Sequence, residues 1–452
     1  FHRVPDKPEA LANPVTIYVT RDVPAIQRLA GRLGSGVAGF YKAESGRAVA
    51  FTPARAGTGS KRDLNPQLIL FHEYAHHFLL QNSGVAYPYW FSEGYAEFAS
   101  TARFDEKYAT VGSYALHRVD ELFGGYEPTI RQLFATPPER GIFIYGRGWL
   151  LTHYLMFNPD RKKQFTKYLD LFNTGKSGVA AAEEAFGDLD SLNTQLNSYR
   201  AKRAIPGLSI LLSALPQPTV SIRALGPGAA ALMEMRMAST VGVSDKTAAP
   251  LYARAAPIAA KYPDDAEAQG WFAEMAYDAG QNEVADTAAD HALSRDPKSS
   301  QALLYKARIA MRRAGSDPKA WTAARAYILK ANALANDNAA ALLLFYESFA
   351  SQGIRPTKGA VSALYRAALL TPQDETLRYM AARQLLTDGD LPAARRVIRP
   401  AAYDPHGGVD TPAARMLTIV EGNSSAPAAL VALQKSEAEA TAKAQAVAKK
   451  GS

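Results

Sequence analysis

Residues 69–80 read ILFHEYAHHFLL, an apolar, helix-forming run that carries three histidines and a glutamate. Such polar groups are costly to bury without partners. His72 and His76 are four residues apart, so on a helix their imidazoles leave one face, one turn apart, and can reach a single cation. Glu73, beside His72, can act as a general base on a water held at the same point. His77 falls off that face and is expected to pack or to face solvent. The next carboxylate-bearing run is WFSEGYAEF, and Glu93 follows His76 by 17 residues with only a short turn between. A helical hairpin of that length brings Glu93 back opposite the histidines. Two imidazoles and one carboxylate leave the fourth corner of a tetrahedral Zn2+ site open for water, the hydrolytic rather than the structural arrangement. Glu97 lies one turn beyond Glu93. It can accept the free ring N–H of a ligand histidine, for which His72 is the candidate, and so fix that ring's orientation. The chain contains no cysteine, which excludes disulfides and thiolate ligands.

Those residues need two well-delimited helices. Asn65 is a cap residue, Pro66 suits a first helical turn and Gly84 follows the end, so a helix is expected over residues 66 to about 82. Ser92 is a candidate cap for a second helix beginning at Glu93. Upstream, Val15–Thr20 alternates and is β-branched, which reads as a strand. A short helix is expected over 23–34, then strands over 37–41 and 47–52 joined by a turn at Glu44-Ser45-Gly46. After Gly141, GIFIYGRGWLLTHYLMF reads as a strand-like entry into a helix, and further helices run to about Arg203. The expected organisation is an α+β unit over 1–204 and a Pro/Gly-rich linker over 205–228.

Beyond residue 229 the texture changes to Ala-rich helices of similar length. Pro263 and Pro297 stand 34 residues apart, and Ala273, Ala285 and Ala292 precede Pro297 at the small-residue spacing of a tetratricopeptide repeat, whose paired helices approach closely where side chains are small. Ala360, Ala367 and Pro372 keep part of the pattern, as do Ala381, Ala393 and Pro405. An all-α, tetratricopeptide-like array is therefore expected over 229–408. The tail, 409–452, is helix-prone with little to bury and is expected to fray or to be disordered.

HEYAH followed by WFSEGYAEF resembles the gluzincin metallopeptidases, the thermolysin and aminopeptidase N group, and most of all the bacterial peptidase MA-like proteins. YGRGWLLTHYL from Tyr145 and AFGDLDSL from Ala185 extend the likeness over about residues 15–200. The resemblance implies a zincin-like α+β fold, zinc held by His72, His76 and Glu93, Glu73 as the base, and Glu97 supporting a ligand histidine. In the aminopeptidase N-like branch a tyrosine after the third ligand donates to the oxyanion, and Tyr145 stands in the matching place. A packed tyrosine with a bonded hydroxyl is the competing reading. His153, two turns on, is read as a core histidine, with an alternative donor as the other possibility; His117 has no motif around it. The Gly-x-Met-Glu-Asn stretch that anchors a substrate amino terminus in aminopeptidase N relatives is missing. GRAVAFTP stands there instead, and as an edge strand it would pair with an extended peptide and leave endo- or exo-cleavage open.

The expected activity is hydrolysis of peptide bonds, with substrate between residues 48–52 and the zinc helix. The competing expectation is an interaction scaffold, in which the repeats bind a protein partner and the zinc domain is inactive or structural. A zinc-dependent hydrolase of a non-peptide bond is a third. The net charge of +8 is spread along the chain, and Arg161-Lys162-Lys163 is short and without interleaved aromatics, so no nucleic-acid partner is expected. Nor is a transmembrane segment expected, because no run of about 18 apolar residues occurs. The chain opens on Phe1 rather than methionine, which suggests a removed upstream segment. With the family likeness, that points to the periplasm or cell envelope.

Overall fold

The computed structural model describes residues 13–31, 36–44, 47–81, 84–125, 127–135, 143–404 and 410–450. The first region is α+β. Strand β1 (Val15–Thr20) leads through α1 (Val23–Ala30) to β2 (Phe40–Glu44) and β3 (Arg47–Pro53), then to α2 (Pro66–Gln81) and α3 (Tyr89–Ser100). The sheet order is β1-β3-β2, with β1 parallel and β2 antiparallel to β3. The strand expected at the edge is thus the central one. Ala48, Val49, Ala50, Phe51 and Thr52 are all buried, as a strand covered on both faces requires. Both of its hydrogen-bonding edges are taken, so it has no edge to offer a peptide. The helix expected over 23–34 ends at Ala30, with Gly31 at φ 61° as its cap; residues 32–35 lie outside the described residues. The strand expected over 37–41 begins three residues later, at Phe40.

A small second sheet follows, made of β4 (Arg103–Phe104), β5 (Tyr108–Val111) and β6 (Leu208–Leu211). Strand β6 comes from the stretch expected to be linker and pairs antiparallel with β5. Between them run α4 (Val119–Phe123), α5 (Ile130–Phe134), α6 (Tyr145–Phe157), α7 (Pro159–Asn173), α8 (Gly178–Phe186) and α9 (Leu189–Arg200). They enclose an aromatic core that includes Trp90, Phe91, Phe134, Trp149, Tyr168 and Phe172.

From Pro227 onward the described chain is helical: α10 (Pro227–Val241), α11 (Asp245–Ala259), α12 (Ala266–Asp278), α13 (Asn282–Arg295), α14 (Ser300–Ala314), α15 (Pro318–Leu334), α16 (Ala339–Ser351), α17 (Lys358–Leu370), α18 (Glu375–Thr387), α19 (Leu391–Ala402), α20 (Pro412–Gly422) and α21 (Ala426–Lys450). Successive helices pack pairwise. Alanines 273, 285, 292, 360, 367 and 381 are buried, whereas Ala393 is half-buried and its neighbour Ala394 is the buried one. Pro405 lies outside the described residues. In the tail expected to fray, 409–452, the described residues form α20 and α21; α21 is held by buried Leu433 and by Glu437, which accepts from Tyr379 and Arg383.

The helical array grips the first region at both ends. Near its start, buried Glu274 of α12 accepts from Arg47 of β3 at 2.6 Å and from Arg236 of α10 at 2.8 Å, and Lys42 of β2 donates to the Val241 carbonyl at 2.6 Å. Near its end, Tyr403 packs on Phe172 and Tyr89, and Arg399 donates to the Phe172 carbonyl. Among the described residues no helix is long and apolar enough to cross a membrane.

Candidate metal centre

Helix α2 starts as its sequence requires: the Asn65 side chain accepts from the Leu68 N–H at 2.9 Å, and Pro66 occupies the first position. Helix α3 differs. It starts at Tyr89 after Pro88, a full turn before Glu93, and Ser92 lies inside it, fully buried. Pro88, with extended backbone, precedes the first helical residue, so Glu93 sits inside the helix rather than at its start.

His72, His76 and Glu93 converge. Among the described residues their ligand atoms all lie within 4.8 Å of one another. His72 Nε2 is 3.2 Å from His76 Nε2 and 3.4 Å from Glu93 Oε2, and His76 Nε2 is 3.8 Å from the same oxygen. Ligand atoms about 2.0–2.1 Å from zinc at tetrahedral angles stand roughly 3.3–3.4 Å apart. The three separations therefore fit one small tetrahedral cation. Electrostatics agree. Burial opposes a charged His72, but Glu93 and Glu97 beside it hold its pKa well above the usual histidine value. The pocket thus favours positive charge at its centre, which a divalent cation supplies.

Glu97 lies behind His72 on the far side from Glu93 Oε2. It is fully buried, with Oε1 3.3 Å from His72 Nδ1. The contact leaves His72 Nε2 free to face the other ligands. Its second oxygen is 2.5 Å from His117 Nε2, and Arg118 donates to Oε1 from Nη2 at 2.6 Å and from Nε at 3.1 Å. Burial alone would raise the Glu97 pKa, yet His117, His72 and Arg118 hold it well below the ordinary value. His117 and Arg118 carry no local pattern that marks them. They come from a 3-10 turn, Leu116–Arg118, that only the fold brings behind α3.

Glu73 is buried on α2. The chain entering β2 passes beside it so closely that a Cβ on Gly39 would stand 3.3 Å from Glu73 Cγ, 2.5 Å from Ile69 Cγ2 and 2.9 Å from the Phe51 carbonyl. Tyr145 is the first residue of α6, with its ring centroid 6.3 Å from that of His72. Glu93 above all, then burial, raise its phenol pKa, with Glu97 and Glu73 adding in the same direction. Those carboxylates and burial thus favour the protonated phenol. Its position depends on two glycines. A Cβ on Gly94 of α3 would stand 2.4 Å from the Gly148 carbonyl oxygen, and one on Gly148 of α6 would stand 2.7 Å from the Trp90 carbonyl oxygen. The helices cross backbone to backbone, and this brings the start of α6 up to Glu93.

His153 and His77 have structural roles. His153 is fully buried between the Tyr199 hydroxyl at 2.8 Å and the Gly112 carbonyl at 2.9 Å. Buried His77 lies 2.9 Å from the Tyr41 hydroxyl and links α2 to β2, and burial lowers its pKa to about 4. Compared with known protein families, with curated proteins and with solved structures, the chain matches none.

Proposed function

We propose that this protein is a zinc-dependent peptidase of gluzincin type, with His72, His76 and Glu93 as ligands and a tetratricopeptide-like array attached. The observation that carries the reading is the set of three ligand separations near a tetrahedral edge, with Glu97 behind His72. A zinc ion in that place supplies a Lewis acid and a water whose pKa is lowered to roughly 7. Glu73 takes the proton from the attacking water, whose oxygen adds to the scissile carbonyl carbon. The Tyr145 hydroxyl donates to the developing oxyanion, a contact that strengthens only in the transition state. When the C–N bond breaks, Glu73 passes its proton to the leaving amine.

With β3 enclosed between β1 and β2, an extended peptide substrate cannot pair with residues 48–52. The scaffold reading has less support, because a purely structural site has no use for a buried Glu73 or for Tyr145. Part of the repeat surface is occupied by the protein's own β2 and β3, through Lys42 and Arg47. A partner protein would use what remains, such as the groove of about 540 Å³ lined by Tyr277, Arg308, Arg312 and Trp321. A periplasmic or cell-envelope location belongs to the same proposal and rests on the family likeness.

The test is elemental analysis with hydrolysis of a quenched peptide library, for native protein and Glu73→Gln. About one zinc in each, with cleavage by the native protein alone, is the expected result. Zinc in both with equal cleavage removes Glu73 as base; zinc in both with no cleavage moves the assignment to the scaffold. Failure of the native protein to take up zinc overturns the metal site.

A further inference from the structure

We propose that Arg118 is a positioning residue that ties the ligand side of the centre to its oxyanion side. The inference rests on the peptidase reading for its catalytic arm but not for its metal arm.

Arg118 ends the 3-10 turn that leads into α4, and its guanidinium does three separate things. Through Nε and Nη2 it grips Glu97 Oε1, the same oxygen that stands 3.3 Å from His72 Nδ1. Through Nη1 it donates to Glu121 Oε1 at 2.9 Å, while Glu121 Oε2 accepts the Gly146 N–H at 2.8 Å. Gly146 is the second residue of α6, so Glu121 satisfies one of the backbone donors that a helix start leaves open, and fixes the turn carrying Tyr145. Finally, the guanidinium carbon lies 4.6 Å from the Tyr145 ring centroid, within cation–π range. One planar, five-donor group thus holds the carboxylate behind His72, the carboxylate that anchors α6, and the face of the tyrosine. Lysine, with a single point charge, cannot make these contacts together. A guanidinium that only offset the charge of Glu97 would need neither the link to Glu121 nor the stack on Tyr145.

The two arms separate by mutation. Glu121→Ala cuts the α6 anchor and leaves Glu97 in place; Arg118→Gln cuts both. Zinc affinity is read by chelator competition, which needs no turnover, and folding is checked by circular dichroism. Arg118→Gln is expected to weaken zinc binding roughly 10- to 100-fold, as loss of a group supporting a ligand histidine does. It is also expected to lower kcat with KM little changed. Glu121→Ala is expected to lower kcat with zinc affinity unchanged. Arg118→Lys should recover only part of either loss. In a Tyr145→Phe background the kcat effect of Glu121→Ala should largely vanish. Native zinc affinity in a folded Arg118→Gln protein overturns the metal arm. An undiminished effect of Glu121→Ala in the Tyr145→Phe background overturns the catalytic arm. If native protein binds zinc but cleaves nothing, the peptidase reading fails, while the chelator titration still decides whether Arg118 supports the centre.

Discussion

Gly94→Ala tests the geometry of the whole centre with one methyl group. The added carbon would stand 2.4 Å from the Gly148 carbonyl oxygen, 2.5 Å from its carbon and 2.6 Å from Thr152 Oγ1, whereas ordinary contact begins at 3.4 Å. Two of these three atoms are backbone, so no side chain can simply swing aside, and α3 and α6 must separate by about 1 Å. Overpacking of this kind costs about 1–3 kcal/mol. The displacement acts where Glu93 and Tyr145 face each other from the two helices. A misplacement of about 1 Å in a reacting constellation can cost on the order of 100-fold in rate. We expect a urea midpoint lowered by the equivalent of about 2 kcal/mol and kcat/KM on a cleaved peptide lowered on the order of 100-fold. Zinc should still bind, because His72, His76 and Glu93 sit on α2 and α3, which move little against each other. A Gly94→Ala protein with native stability and native turnover would refute the close crossing and its role in placing Tyr145.

Tyr145→Phe removes the phenol donor alone, so kcat should fall roughly 100- to 1,000-fold with KM and zinc content little changed; unchanged kcat in steady-state assays would return Tyr145 to a packing role. The junction between the first region and the helical array makes a prediction in pH. Burial would raise the Glu274 pKa, but Arg47 and Arg236 hold it at about 2, against 4.5 for an ordinary glutamate. A lowered folded pKa means stability that is present above 4.5 and lost as pH falls towards 2. Glu274→Gln should be destabilised at pH 7 by about 3 kcal/mol, and the gap to native protein should close on acidification. Urea unfolding at pH 7 and pH 3 measures this, and parallel loss of stability in the two proteins would count against the clasp.

The candidate ligand set was legible because it is local. His72, Glu73 and His76 are related by helix period alone, and Glu93 and Glu97 by a second helix after a turn too short to allow many arrangements. Asn65 and Pro66 marked the start of α2 for equally local reasons, and His153 reads correctly as a core histidine. Where the local reading failed, a distant partner decided. GRAVAFTP looks like a possible edge strand until β1 and β2 are seen on either side of it. Ser92 looks like a cap until Pro88 is seen to start α3 a turn earlier. The alanine pattern that reads as repeats is buried as far as Ala381 and slips by one residue at Ala394, where packing rather than strict spacing selects the buried position.

The sequence by itself thus determined the identity of the candidate ligands and base, since helical periodicity acts over a few residues and needs no other part of the chain. Only the tertiary structure decided what holds them. His117 and Arg118 reach Glu97 across about 20 residues, Gly148 meets Gly94 across 54, and Arg47 meets Glu274 across 227. Contacts at such separations depend on how helices cross and how buried charges find partners, and those are properties of the assembled core that no local spacing encodes.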